Sequence, residues 1–179
     1  MSINQPSLYI GLLQATDLDA LYSYLLKLGP ETRKRFAPHA FDREMLDNLF
    51  IRQQDLYRAY IAKPDSMGEI IAYAVVMRGF LLHDLPRLQG YGLNLSHETD
   101  CTIAPSVADR YQQKGVGSLL MSHIIHDLEN TAINRMILWG GVQAENQTAL
   151  RFYLRHGFVK LGEFDYHGLN WDMCLNINS

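Results

Sequence analysis

Cysteine is scarce in this chain: Cys101 and Cys174 are the only two in 179 residues. Two thiols build no disulfide framework, and the seven histidines have no zinc-type spacing with them, so no metal site is expected. Long apolar runs are also missing. The longest, Ile70 to Met77, is far too short to span a bilayer. The first residues, MSINQPSLYIG, lack a basic segment leading into an apolar one, so no secretory signal is expected and cytoplasmic residence is the default. Positive charge is not in excess. Sixteen Lys and Arg against nineteen Asp and Glu leave a formal charge of −3, which argues against bulk recruitment of nucleic acid. Internal repeats and low-complexity linkers are absent, and the chain reads as one globular domain over residues 1–179.

What is present is a regular alternation of apolar patterns. Leu8 to Leu13 reads as a first strand. Ala15-Thr16-Asp17 supplies a helix cap, and Leu18, Leu21, Tyr22, Leu25 and Leu26 recur at helical spacing until Gly29-Pro30 stops them. Pro30 opens a second short helix, and Asp42 caps a third running to about Ile51. Leu56 to Ala62 and Glu69 to Leu82 read as a hairpin across a turn at Pro64 to Gly68. His83 to Gly92 reads as irregular. Leu93 to Val107 returns as strand, with Pro105 expected to force a bulge or break. A helix over 115–130 carries Val116, Leu119, Leu120, Ile124 and Leu128 on one side. Strand 135–142, helix 146–156, and strands 158–165 and 169–177 follow, the last two joined by a tight turn at His167-Gly168. The order β-α-α-β-β-β-α-β-α-β-β implies an α/β fold, a mixed sheet with helices on its faces.

The most informative stretch is Gln112-Gln113-Lys114-Gly115-Val116-Gly117, between the strand ending at Val107 and the helix from Ser118 onward. Glycines at a strand-to-helix turn free a row of backbone N–H groups, and the helix dipole adds to their pull on phosphate oxygens. A P-loop would need Lys-Ser/Thr after its last glycine, where Ser118 and Leu119 stand. A dinucleotide fingerprint would need a third glycine at position 120, which is Leu120. A second motif follows the buried run Met136 to Val142: Asn146, Ala149, Phe152-Tyr153 and Gly157-Phe158.

Gln-x-x-Gly-x-Gly followed by strand, Asn-x-x-Ala, Phe-Tyr and Gly-Phe resembles the GCN5-related N-acetyltransferase (GNAT) superfamily over Cys101 to Phe158. The resemblance implies an acyl-CoA acyltransferase fold whose fourth and fifth strands splay apart to admit acetyl-CoA as co-substrate. It implies transfer of the acetyl group to a primary amine, on a small molecule or a protein, by direct attack in a ternary complex. Dimers are common in the superfamily. The alternative on the same scaffold is a non-catalytic acyl-CoA sensor or interaction module.

By the same resemblance, Gln112, Gln113, Lys114, Gly115, Val116, Gly117 and Ser118 bind the pyrophosphate. Val107 and Ala108 pair with the pantetheine arm by strand addition. Gln113 departs from the glycine frequent at its position, but still offers its backbone N–H. Asn146 and Tyr153, seven residues apart, share a helix face and reach the cofactor. Tyr153 assists the departing sulfur as a proton donor. For the base, the nearest carboxylates in sequence are Glu98 and Asp100, which strand alternation puts on one face; His97 is adjacent. Cys101 reads as a buried structural thiol. The basic run Arg33-Lys34-Arg35 is either a solvated helix face or a lining of the acceptor pocket that favours acidic acceptors.

Overall fold

A computed structural model describes residues 8–64 and 68–178. Asp65 to Met67 of the expected turn, residues 1–7 of the leader reading, and Ser179 lie outside the described residues. The strands are β1 (Tyr9–Leu12), β2 (Tyr57–Lys63), β3 (Ala72–Arg78), β4 (Asp100–Val107), β5 (Arg135–Leu138), β6 (Val142–Gln143), β7 (Val159–Asp165) and β8 (Leu169–Asn176). The helices are α1 (Leu18–Lys27), α2 (Pro30–Arg35), α3 (Arg43–Asp47), α4 (Leu85–Gly90), α5 (Val116–Glu129) and α6 (Gln147–Arg155). The eight strands form one mixed sheet in the order β1-β2-β3-β4-β5-β8-β6, with β7 on β8. Among the described residues, no helix is long and apolar enough to cross a membrane.

Contacts divide the chain into two compact units, Met1–Val75 with Pro105–His123 and Val76–Ala104 with Ile124–Ser179. In the first, β1 runs antiparallel to β2, Tyr9 opposite Lys63 and Leu12 opposite Tyr60. Helix α1 buries Leu18, Leu21, Tyr24 and Leu25, a stripe at helical spacing in which each buried side chain contributes about 1.5–3 kcal/mol. Tyr24 replaces the expected Tyr22 and Leu26 on that face; Leu26 is exposed because it falls on the opposite side. Asp42 caps α3 by accepting from Met45 N–H at 2.7 Å. Rings of Tyr24, Phe36, His39 and Phe50 surround the fully buried Tyr73.

In the second unit, β4 and β5 run parallel from Asp100 opposite Arg135 to Ile103 opposite Leu138. Strands β5, β6 and β7 all pair antiparallel with β8. The stretch expected to be irregular contains α4, which tolerates Pro86 because it falls in the first turn. This helix packs Leu88 against Phe80, Ile137 and Cys174. Arg87 fixes it further, donating to Asp172 at 2.5 and 3.2 Å and to Asp84 at 2.8 Å.

Four strand expectations change. The expected strand from Leu93 begins only at Asp100, since Thr99 and its two predecessors form a turn. Strand β3 ends at Arg78, because Gly79 turns out at φ 86°. The strand expected over 135–142 is interrupted by Gly140 and Gly141 at φ 66° and 69°. A side chain at Gly141 would meet the Trp171 carbonyl oxygen at 2.6 Å, so close approach of β8 demands glycine there. Pro105 does not break β4. Strand alternation points its nitrogen away from β3, toward the side where pairing with β5 has stopped at Ile103, so no ladder bond is lost.

Candidate active site

The first unit carries the loop from Val107 to Ser118. Asp109 to Tyr111 form a single tight turn closed by Tyr111 N–H to Ala108 O at 2.7 Å and Gln112 N–H to Asp109 O at 3.3 Å. Gln113 then sits at φ 58° and Gly115 at φ 84°, two left-handed residues around Lys114. Helix α5 starts at Val116, and Leu119 N–H closes its first turn on Gly115 O at 3.0 Å. Between those bonds, the N–H groups of Gln113 through Ser118 find no acceptor among the described residues. Gln112 to Gly115 are solvent-exposed, and nothing lies within 4 Å of where a Gly115 side chain would be. Gly115 is therefore required by backbone conformation rather than by crowding. A run of unpaired amides at an open helix start is a place for anionic oxygens.

Val107 and Ala108 part company. Ala108 donates its N–H to Ile71 O at 2.9 Å, and its carbonyl accepts from Tyr111 N–H at 2.7 Å with one lone pair left over. Alternation turns the N–H and C=O of Val107 the other way, onto the open edge. The Gln112 side chain reaches that Val107 oxygen at 3.1 Å. Lys114 lies with its ammonium 5.8 Å from the Tyr111 ring.

Sequence reasoning missed Asp109. Its carboxylate accepts from Gly29 N–H at 2.8 Å and from the Thr32 hydroxyl at 2.5 Å, capping α2 from another part of the chain. These bonds hold its carboxyl below the usual range, Thr32 contributing most. The available signal was Gly29 at the cap position of α2, with no side chain to do the capping itself. Arg33 is also spoken for: its guanidinium donates to the carbonyls of Leu25, Leu26 and Leu28, tying off the end of α1. The basic cluster is thus partly a helix cap, and Arg35 faces Glu31 at 3.9 Å along α2.

The second unit carries Asn146 and Tyr153 on α6. Asn146 Oδ1 accepts from Ala149 N–H at 3.2 Å, capping the helix. The Tyr153 ring packs between Phe152 and Phe158, with centroids 5.2 and 5.4 Å away. Its hydroxyl makes no hydrogen bond among the described residues, and burial pushes its phenol far above the ordinary value. Tyr153 therefore keeps its proton and has it free to donate.

The shared face expected for the two candidate bases does not form. Glu98 lies exposed on the turn before β4, whereas Asp100 on β4 is fully buried, so the two carboxylates share no strand face. Asp100 receives Arg135 at 2.8 and 3.3 Å and Ser96 N–H at 2.7 Å, which commits its oxygens to structure. His97 stacks on Phe80 at 4.2 Å. Burial, with a smaller push from Asp100, raises the Cys101 thiol to about 12, too high for a nucleophile. Among the described residues, no group of three or more His, Cys, Asp or Glu is placed to hold a metal ion.

The family described as Acetyltransferase (GNAT) matches residues 19–158. The chain belongs to that family. As a member it is an acetyl-CoA-dependent acetyltransferase. No curated protein sequence matches the chain. Among solved structures it is similar to a GNAT-family acetyltransferase from Streptococcus pneumoniae, at 21% identity and TM-score 0.73, over 96% of this chain and 100% of that one. It is also similar to the ribosomal-protein-S18-alanine N-acetyltransferase of Escherichia coli, at 20% identity and TM-score 0.63, covering 97% and 96%. A third, yncA from Salmonella typhimurium solved with acetyl-CoA, gives 16% identity and TM-score 0.69 over 97% and 95%. At these identities the three likenesses concern the fold alone. The parallel β4–β5 pair inside an eight-stranded mixed sheet is the GNAT architecture that the two sequence motifs implied.

Proposed function

We infer that this GNAT enzyme acetylates a primary amine by direct attack, with no acyl-enzyme stage. The row of unpaired amides from Gln113 to Ser118 carries the reading. It supplies backbone donors and the positive end of α5, a donor set suited to a diphosphate. Val107 offers one N–H and one carbonyl to an extended arm, in the manner of an added strand. When bound, acetyl-CoA supplies an activated acetyl group and a thiolate leaving group.

Tyr153 holds a proton on its phenol and gives it to the leaving sulfur. Asn146 orients the start of α6 and offers its amide NH2 to the ligand. Cys101 and Cys174 are both buried with raised thiols, which favours direct transfer over a route through a cysteine thioester. With Asp100 paired and Glu98 exposed on its turn, the proton of the attacking amine passes to water rather than to a fixed carboxylate. The Escherichia coli neighbour is named for a protein alanine, so protein amines belong in any screen alongside small amines.

One observation favours a second reading, an acyl-CoA sensor on the same fold: of the two candidate bases, Asp100 is tied to Arg135 and Glu98 lies exposed on its turn. Release of free CoA from acetyl-CoA across peptide N-termini, lysine peptides, polyamines, amino sugars and amino acids separates the two. Turnover with one class is expected. Tight CoA binding with no turnover on any class would leave the sensor. Displacement of bound CoA by equal ATP or NAD would remove both readings.

A further inference from the structure

We propose that Thr32, Asp109 and the Gln112 carboxamide form a latch that tightens helix α2 when the β4 edge is filled; the proposal rests on the acetyl-CoA reading of that edge. The Gln112 nitrogen has two hydrogens and three acceptors within reach: Thr32 Oγ1 at 3.1 Å, Val107 O at 3.1 Å and Asp109 Oδ1 at 3.4 Å. The Thr32 hydroxyl spends its own hydrogen on Asp109, so toward Gln112 it can only accept. Asp109 holds Gly29 N–H with its other oxygen, and a side chain at Gly29 would meet that oxygen at 2.9 Å. The glycine is what lets the carboxylate close on the start of α2. One carboxamide thus bridges α2 to the β4 edge, across about eighty positions of sequence.

Its three acceptors are not equivalent. Thr32 and Asp109 belong to the cap of α2. Val107 O belongs to the open edge, where an arriving amide N–H has the same use for it. A ligand amide that binds Val107 O shares that oxygen with one Gln112 hydrogen and weakens its hold there. That hydrogen turns to Asp109 Oδ1, an ionised acceptor now at a loose 3.4 Å, and charge-assisted bonds of this kind shorten and strengthen. Filling the edge therefore adds a bond to the α2 cap. Thr32 and Asp109 touch no reacting atom; they are positioning residues, and what they position is the segment from Gly29 to Phe36.

Amide hydrogen exchange on the full chain, with and without saturating free CoA, reads the latch directly. In the wild type, CoA should slow exchange at Arg33 and its neighbours in α2 by about 3- to 10-fold, the scale of one hydrogen bond. Thr32→Val and Gln112→Leu should each abolish the CoA-dependent part, and Thr32→Ser, which restores the hydroxyl, should recover it. Were Thr32→Val to fail to fold, Gln112→Leu at an exposed position carries the test. Protection confined to residues 113–118, with α2 unchanged, would overturn the latch and leave the phosphate loop standing. A full α2 response in Thr32→Val or Gln112→Leu would likewise overturn it. Loss of protection at 113–118 in the wild type would take down the loop reading and the latch with it.

Discussion

Arg135 Nε donates to Asp100 Oδ1 at 2.8 Å while its Nη2 reaches Asp100 Oδ2 at 3.3 Å, a fork onto a fully buried carboxylate. The pair joins the facing first residues of the parallel strands β4 and β5. Breaking one side strands a charge in the interior. Arg135→Met should cost about 3–5 kcal/mol in denaturant unfolding, and adding Asp100→Asn should return most of it. Asp100→Asn alone should lower stability while leaving turnover per folded molecule intact. Lost turnover with an undamaged melting transition would restore Asp100 as a base.

Tyr153 makes the opposite case: a hydroxyl without a hydrogen bond among the described residues. Tyr153→Phe removes one oxygen from a packed ring and leaves the ring contacts in place. If the phenol serves the leaving sulfur, kcat should fall by about 100-fold or more while acetyl-CoA affinity barely moves. The raised phenol also means that no alkaline loss of activity below about pH 10 is assignable to Tyr153. Unchanged kcat in the Phe variant would take Tyr153 out of the chemistry.

Much of this was legible in the sequence, and the reasons differ by residue. The turn from Gln112 to Gly115 into α5 was readable because two local rules, a glycine-bearing strand-to-helix turn and a following apolar stripe, agree in one short window. Asn146 was readable as a cap from its place before α6. The pairing of Asp100 with Arg135 was not, because it joins positions 35 residues apart through a strand register that no local pattern encodes. Asp109 was hidden for the same reason: its partners Gly29 and Thr32 lie in another helix. Leu119 was misassigned to the buried face of α5, yet it is 54% exposed, since a stripe at 3.6 spacing does not say how wide the contact will be. Helix α4 escaped notice because Pro86 and Gly90 read as breakers, although both fall in its end turns.

Two left-handed glycines should respond differently to the same substitution. Gly115→Ala has open space around the new methyl, so only the backbone cost of φ 84° applies, about 1–2 kcal/mol. Gly141→Ala adds a clash with the Trp171 carbonyl oxygen at 2.6 Å and with the Phe164 ring at 2.8 Å. Its loss should be larger, about 2–5 kcal/mol in all. Thermal unfolding of the two variants ranks them, and equal losses would contradict the packing argument for Gly141.

His39 supplies an acid-sensitive contact. Its Nδ1 lies 2.9 Å from Ala40 O, and a carbonyl only accepts, so Nδ1 carries the hydrogen. Nε2 is then the acceptor for the Tyr73 hydroxyl at 2.8 Å, and Tyr73, its phenol raised by complete burial, keeps the proton it donates. Burial lowers the His39 pKa, against smaller upward pulls from Ala40 and from Asp42. The folded state therefore binds this proton less readily than the unfolded chain, whose histidine titrates near about 6.5. The His39 contribution is fully present above that value and is lost as pH falls toward the folded-state pKa, so stability should drop between pH 7 and 5. His156, lowered by burial and by Arg155, acts in the same direction and remains in the variant. His39→Gln should therefore flatten the pH dependence of unfolding free energy without abolishing it. An unchanged slope would show that the His39–Tyr73 bond is not what resists protonation.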